Sequence, residues 1–200
     1  MELRFNILHE VVDKFVVCES LYDHRGKEKK INFYKKNFPN FSHKIEHIII
    51  EKKFPEINTP WQNQSWQREF IFQGLENSNN EDLVMFSDPD EIPNPKIFKN
   101  FELKKKYGIF LQDCFNYKFN LFNPFESPWE GTRVAKKKNL RSIDFMRQKV
   151  RIKNLQYGIF RFDKEKNIQI FDKAGWHFNN IMTPDEISKK LKTFAHTEFS

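Results

Sequence analysis

The chain has 200 residues, 38% of them hydrophobic and 30% charged, a size that suits one domain with a real core. No stretch approaches the roughly 18 consecutive apolar residues of a membrane helix, and Met1–Asn6 lacks a signal-peptide layout, so a membrane span is excluded and a soluble chain is expected. The formal charge of +7 favours anionic partners, whether nucleic acid, an acidic membrane surface or a nucleotide diphosphate.

Taken in order, residues 2–13 place Leu3, Ile7, Leu8, Val11 and Val12 at helical spacing. Lys14 to Cys18 is β-branched and aromatic and reads as a strand that delivers Glu19 and Ser20 to its end. Residues 22–27 are polar and contain a glycine, as a loop would. A second strand is expected at Ile45 to Ile50, and from Ser65 a helix runs through Trp66, Phe70, Ile71 and Leu75. Strand, helix, strand in that order predicts a crossover unit and a parallel sheet. Leu83-Val84-Met85-Phe86 is a short apolar run that suits a strand buried on both faces. Asn94 caps a helix opened by Pro95. Gly108–Leu111 and Phe115–Phe122 are two aromatic strand candidates, and Pro124 to Pro128 is a turn-rich loop leading into Trp129–Arg133. A short helix over 142–150, two strands flanking the turn at 163–167, and a closing helix behind the capping box Thr183-Pro184-Asp185-Glu186 complete the chain. On that helix Ile187, Leu191 and Phe194 face one way. No repeat, linker or low-complexity tract divides the chain, so residues 1–200 are expected to form one domain.

The chemistry concentrates after the apolar run, in Ser87-Asp88-Pro89-Asp90-Glu91-Ile92-Pro93. Carboxylates at i and i+2 of an extended segment point the same way, so Asp88 and Asp90 can share a hard divalent cation whose shell is completed by water and phosphate oxygens. Alone, the motif also reads as an acidic surface turn. Three further clusters stand at element ends: Glu19-Ser20, Trp129–Arg133 and Gly175-Trp176-His177. His177 is a candidate imidazole ligand or a hydrogen-bonded structural residue. Trp129 and Trp176 suit stacking on a sugar or base, or the core. Arg133 suits a bidentate phosphate clamp or a surface ion pair. Glu130, a carboxylate between aromatics, is a candidate general base. Arg68, Lys136 and His196 form a second basic set that would neutralise phosphate or simply be exposed. Cys18 and Cys114, far apart, read as buried thiols. The Lys runs at 104–106 and 136–138 read as solvated faces, and no basic arm of a nucleic-acid binder is present. No P-loop, dinucleotide-binding glycine fingerprint, nucleophile elbow or C-x-x-C occurs, which argues against a P-loop enzyme, a Rossmann dehydrogenase, an α/β-hydrolase and a structural zinc site.

Together these stretches resemble glycosyltransferase family 17. The resemblance rests on Glu2-Leu3 through Asp13, Phe15–Ser20, Trp66-Gln67-Arg68, Ser87–Pro93, Gly131-Thr132-Arg133, Ala174–Phe178, Thr183–Glu186 and Phe194–Glu198, in family order across residues 2–199. It implies a single catalytic domain with a GT-A-like α/β fold, a mostly parallel central sheet flanked by helices, its first strand missing because the chain starts at the Glu-Leu segment. It implies an inverting transfer of N-acetylglucosamine from a UDP-sugar, UDP-N-acetylglucosamine, to a glycan acceptor such as a β-linked mannose, with Mn2+ or Mg2+. Asp88, Asp90 and His177 are then the metal set, and Glu130 and Glu91 the catalytic carboxylates. Glu130 would deprotonate the acceptor hydroxyl, and Glu91 would reach the metal through water or orient its neighbours. Glu19, Ser20, Arg68, Trp129, Arg133, Trp176 and His196 are the substrate-binding set. Eukaryotic relatives are anchored in Golgi membranes, so a form without an anchor fits a bacterial or viral cytoplasm. The alternatives are a non-catalytic sugar- or nucleotide-binding relative, and a basic nucleic-acid-binding module, against which the three carboxylates argue.

Overall fold

The structure, a computed structural model, describes residues 1–56, 58–147, 160 and 165–193. Two compact units emerge, one built from Glu2–Asn77 with the chain from Met182 onward, the other from Ser78–Ile181 with Met1.

In the first unit, helix α1 (Glu2–Leu8) ends sooner than its apolar spacing predicts. The amides of Val11 and Val12 both turn back onto the Leu8 carbonyl, at 3.0 and 3.1 Å. Phe5, fully buried, meets Phe15, Phe33 and Phe38 at ring-centroid distances of 4.8, 6.2 and 5.1 Å, so aromatic rings supply much of this small core. Strand β1 (Phe15–Ser20) pairs in parallel with β2 (Ile45–Ile50) from Phe15↔Ile45 to Ser20↔Ile50. Glu19 and Ser20 therefore lie inside the strand rather than beyond it. Helix α2 (Pro60–Glu69) starts five residues before the expected Ser65, because Thr59 and Gln62 cap each other reciprocally (2.7 and 3.3 Å) with Pro60 in the first turn.

The second unit holds a mixed six-stranded sheet. Strands β3 (Leu83–Phe86), β4 (Glu91–Pro93), β5 (Tyr107–Asn116) and β6 (Trp129–Lys136) come first, then helical turn α3 (Ile143–Met146), β7 (Ile168–Phe171) and β8 (Gly175–Asn179). The order is β3-β6-β5-β8-β4, with β7 also on β5. The expected mostly parallel sheet is not what forms. β3·β6, β5·β6 and β4·β8 are antiparallel, while β7 and β8 run parallel to successive halves of β5. The predicted crossover between residues 45–50 and 83–86 also fails, since β2 pairs with β1 and β3 pairs with β6. β3 lies at the end of the strand order, which leaves Leu83 48% exposed rather than buried on both faces.

The two strand candidates at 108–111 and 115–122 resolve differently too. One long β5 spans the first and the start of the second. The chain then reverses at Tyr117, which takes the left-handed conformation (φ 66°), and Phe122 bridges back to Phe115. The first half of β5 is apolar and buried on both faces. Tyr107, Ile109 and Leu111 pack with Ala135, Met146 and Ile168 on one side. On the other, Phe110 packs with Val134 and Ala174 beneath Phe98, Phe101 and Phe171. From Gln112 onward the strand turns polar, and there the core gives way to the site described below. Helix α4 (Pro184–Thr193) carries the predicted capping box: the Thr183 amide donates to Glu186 Oε2 at 2.8 Å and the Glu186 amide to Thr183 Oγ1 at 3.3 Å. The expected strand just before residue 163, Phe194, and the side chain of Leu191 lie outside what is described.

Phe110 is fully buried among three other phenylalanines. Phe110→Ala should therefore cost about 3–5 kcal/mol, read as a lower midpoint in urea unfolding with an unchanged slope; a loss under about 1 kcal/mol would show that the ring cluster carries little of the fold's stability.

Candidate active site

The acidic segment is a tight turn, as the alternative reading of the motif has it, and not the extended stretch that the paired-carboxylate reading assumes. The Glu91 amide donates to the Asp88 carbonyl at 3.0 Å, and Pro89 takes the second turn position that its fixed φ suits. A second bond closes the same turn, as the Asp88 amide donates to Glu91 Oε2 at 3.1 Å. Asp88 and Asp90 consequently face different partners. Asp88 Oδ2 accepts from Arg147 Nη2 at 2.9 Å, while Asp90 Oδ2 lies 3.7 Å from His177 Nε2.

Glu91 is the anchor. Its side chain is 0% exposed, and Oε1 accepts from the Trp129 indole at 2.8 Å, with Arg147 Nη1 3.6 Å away. Burial, then the Asp88 charge, push the Glu91 carboxyl above the usual carboxylate range, against the pull of Arg147 and the indole. Its antiparallel partner on β8 is His177, whose ring stacks on Trp129 at 4.5 Å and 25°. His177 Nδ1 lies 3.6 Å from Cys114 Sγ, which in turn is 3.2 Å from Glu126 Oε2. Burial and then Glu126 push the Cys114 thiol up to about 12, away from the low values of nucleophilic cysteines.

Strand β6 brings Trp129 here through a bulge. Arg133 lies opposite Ile109 and Glu130 opposite Leu111, so β6 carries one extra residue around Gly131-Thr132. A Cβ at Gly131 would collide with the Gln112 side chain as it is placed, so the glycine leaves room for that amide. Thr132 Oγ1 bonds Ser87 Oγ at 2.7 Å and Gln112 Nε2 at 3.2 Å, tying the start of the acidic segment to β6 and β5. Gly175, at φ 142°, lets β8 pass the Ile92 backbone closely.

Three of the four sequence clusters thus converge: the acidic turn, Trp129 with Glu130 and Arg133, and His177. Arg133 is buried and donates Nη1 to the carbonyls of Glu130 and Gly131, with Nη2 3.4 Å from Glu130 Oε2. Burial pulls its guanidinium down to about 10, against the attraction of Glu91 and Glu130. Trp176, beside His177 in sequence, points to the opposite face by strand alternation, in register with Asp113 and Ile92. Lys136 pairs with Glu81 at the surface (2.9 Å).

Glu19, Ser20 and Arg68 belong to the other unit. Glu19 accepts from Lys29 Nζ (2.7 Å) and from the amides of Asn32 and Phe33 (2.8 and 2.9 Å), and so holds the loop at 29–33. Burial pushes its carboxyl up, but Lys29 and the two amides outweigh this and lower it overall. Ser20, fully buried, accepts from the Tyr22 amide at 3.0 Å. Arg68 ends α2 near His24. His196 lies outside the described residues.

Arg147 is the member that sequence reading misses. It directly follows α3 and reaches both Asp88 and Glu91, its guanidinium carbon 5.8 Å from the Phe86 ring centroid. Nothing local in the sequence marks it; only the fold brings it to the turn.

Among the described residues, no group of three or more His, Cys, Asp and Glu is arranged to hold a metal by itself. The donor chemistry nevertheless fits a hard cation. Asp88 and Asp90 offer partly exposed carboxylate oxygens, and such cations are commonly held by one or two carboxylates with water and substrate phosphates completing the shell.

The site is thus an acidic turn at a sheet edge, braced by indole, imidazole and guanidinium groups. The family model described as "Glycosyltransferase family 17" matches residues 1–199, and the chain belongs to that family. Two relatives, from Rattus norvegicus and Homo sapiens, are both named beta-1,4-mannosyl-glycoprotein 4-beta-N-acetylglucosaminyltransferase. Each is 25% identical over 228 residues, covering 100% of this chain and 41% of the relative. A Mus musculus protein of the same name is 29% identical over 103 residues, 46% of this chain and 19% of its own length. The chain thus spans 41% of the length of the first two relatives it matches. No solved structure gives a significant match. Among the described residues, no helix is long and apolar enough to cross a membrane.

Trp129→Phe keeps a ring on His177 but removes the donor to buried Glu91. It should cost about 1–3 kcal/mol in chemical unfolding, and a double-mutant cycle with Glu91→Gln should show coupling above about 0.5 kcal/mol; independent effects would separate the two residues. For Glu19, whose folded carboxyl is lowered, stability is present above the unfolded value near 4.5 and lost as pH falls through the lower folded value. Glu19→Gln should therefore cost about 1–3 kcal/mol at neutral pH and little below the folded value, which unfolding curves from neutral pH down into the acid range would test.

Proposed function

We propose that this chain is a metal-dependent inverting glycosyltransferase that moves N-acetylglucosamine from UDP-N-acetylglucosamine to a glycan acceptor carrying a β-linked mannose, on a GT-A-like variant of the α/β fold. The observation that carries the reading is the fixed acidic turn. Asp88 and Asp90 stand on a turn closed by two bonds between Asp88 and Glu91, and Glu91 is locked by Trp129. Family membership supports the reaction class, and the names of the relatives support the choice of sugar and acceptor.

On this reading Asp88 and Asp90 hold Mn2+ or Mg2+, which when bound neutralises charge on the departing diphosphate. Glu91 and Trp129 act by positioning: the buried carboxyl fixes the Asp88 amide, and the indole fixes the carboxyl. His177, between Cys114 and Asp90, orients the Asp90 carboxylate. Glu130, whose side chain is 16% exposed and leans on Arg133, accepts the proton of the acceptor hydroxyl. The loop entering β6 exposes Tyr117, Phe119, Phe122 and Phe125, ring faces on which sugars stack.

Incubation with UDP-N-acetylglucosamine, Mn2+ and a β-mannoside should release UDP. Chelation should stop release, and Asp88→Asn should lower it by about 100-fold or more with the unfolding midpoint preserved. Absence of turnover with any nucleotide sugar in folded protein would refute the assignment.

A further inference from the structure

We propose that Arg147 competes with a divalent cation for the Asp88 carboxylate and thereby sets the metal affinity of the acidic turn. This rests on the metal reading above and extends it to a residue outside the motifs that carry the family resemblance. The geometry is specific. Arg147 Nη2 is 2.9 Å from Asp88 Oδ2, and Nη1 is 3.6 Å from Glu91 Oε1, so one planar guanidinium spans the two carboxylates that the turn draws together. The turn brings the Glu91 carboxylate within 3.1 Å of the Asp88 amide, and two carboxylates held this close call for a positive charge between them. Arg147 supplies that charge where a hard cation would supply it.

Both draw on the charge of the same carboxylate, and each weakens the hold of the other. A divalent ion on a carboxylate oxygen sits about 2.0–2.6 Å away, and a guanidinium already at hydrogen-bond distance from that oxygen repels it. Arg147 has the means to yield. Its backbone amide is anchored to the carbonyls of Ile143 and Phe145 at the end of α3, while its side chain is a flexible stem. The Phe86 ring already lies 5.8 Å from its guanidinium carbon, a cation–π contact that does not depend on Asp88. Arg133 is no substitute in this role, because its Nη1 is committed to two carbonyls of its own strand.

The test is a titration of the whole chain with Mn2+ alone, following the loss of the free-ion signal by electron paramagnetic resonance, without nucleotide and without an activity readout. Arg147→Met should bind Mn2+ about tenfold more tightly than the unaltered chain, and Asp88→Asn should lose the binding. Arg147→Gln, which keeps hydrogen-bond donors but not the charge, should behave like Arg147→Met and decides the matter where the methionine variant fails to fold. Mn2+ binding that depends on Asp88 but is unchanged or weaker in the foldable Arg147 variants would overturn the competition and leave the metal reading intact. No Mn2+ binding by any of these proteins in the titration would overturn the competition, and its continued absence when the titration is repeated with UDP would overturn the metal reading as well.

Discussion

A carboxyl group with no exposure to solvent is costly unless it is matched by donors, and the second unit is organised around meeting that cost at Glu91. Its two oxygens take the Trp129 indole N–H and the Asp88 amide. Each bond fixes something else. The first holds Trp129 so that its ring lies flat on His177; the second closes the turn that carries Asp88 and Asp90. The strand pairing reinforces this, since Glu91 and His177 are direct partners across β4 and β8. A neutral or displaced residue at 91 would loosen the indole, the imidazole and the turn together.

What lets these groups meet is a change of character along β5 and β6. From Tyr107 to Leu111 β5 is buried on both faces and belongs to the core; at Gln112 and Cys114 one face becomes polar. Opposite that change, β6 takes in its extra residue at Gly131-Thr132. Bulges re-aim side chains beyond them, and here Trp129 lies past the bulge, over His177. The Gln112 amide fills the space that any side chain at 131 would need. Core and site are therefore two ends of the same pair of strands, and the rigidity of the first holds the geometry of the second.

Much of this is legible in the residues. The runs Ile45–Ile50 and Leu83–Phe86 declare their own bounds because β-branched and apolar side chains dominate them, and the Thr183 capping box marks its helix because the motif is local. The acidic segment, Trp129–Arg133 and His177 stand out by residue type alone. The failures share a cause: each depends on partners distant in sequence. Trp129–Arg133 reads as the end of a loop because a bulge destroys strict alternation. β5 reads as two pieces because Gln112 and Asp113 interrupt its apolar run. Strand direction does not follow from strand order, since β2 and β3 do not share a sheet. Glu19 draws notice as a carboxylate at a strand end, yet its oxygens go to Lys29, Asn32 and Phe33.

The change from extended segment to turn alters the logic of the acidic motif. In an extended chain, Asp88 and Asp90 would point together and form the beginnings of a cage. In the turn, Asp88 is drawn toward Arg147 and Asp90 toward His177. Carboxylates placed this way give a cation few protein ligands and several water-filled positions, the coordination that hard ions with phosphate ligands prefer. A cation on such a turn would depend on the oxygens of a bound diphosphate for the rest of its shell. Its retention would then be linked to the presence of the donor, and the charge of Arg147 would weigh most heavily when no diphosphate is there to offset it. On the proposed metal reading, the turn, more than the spacing of its two aspartates, would tie the chemistry of this site to its substrate.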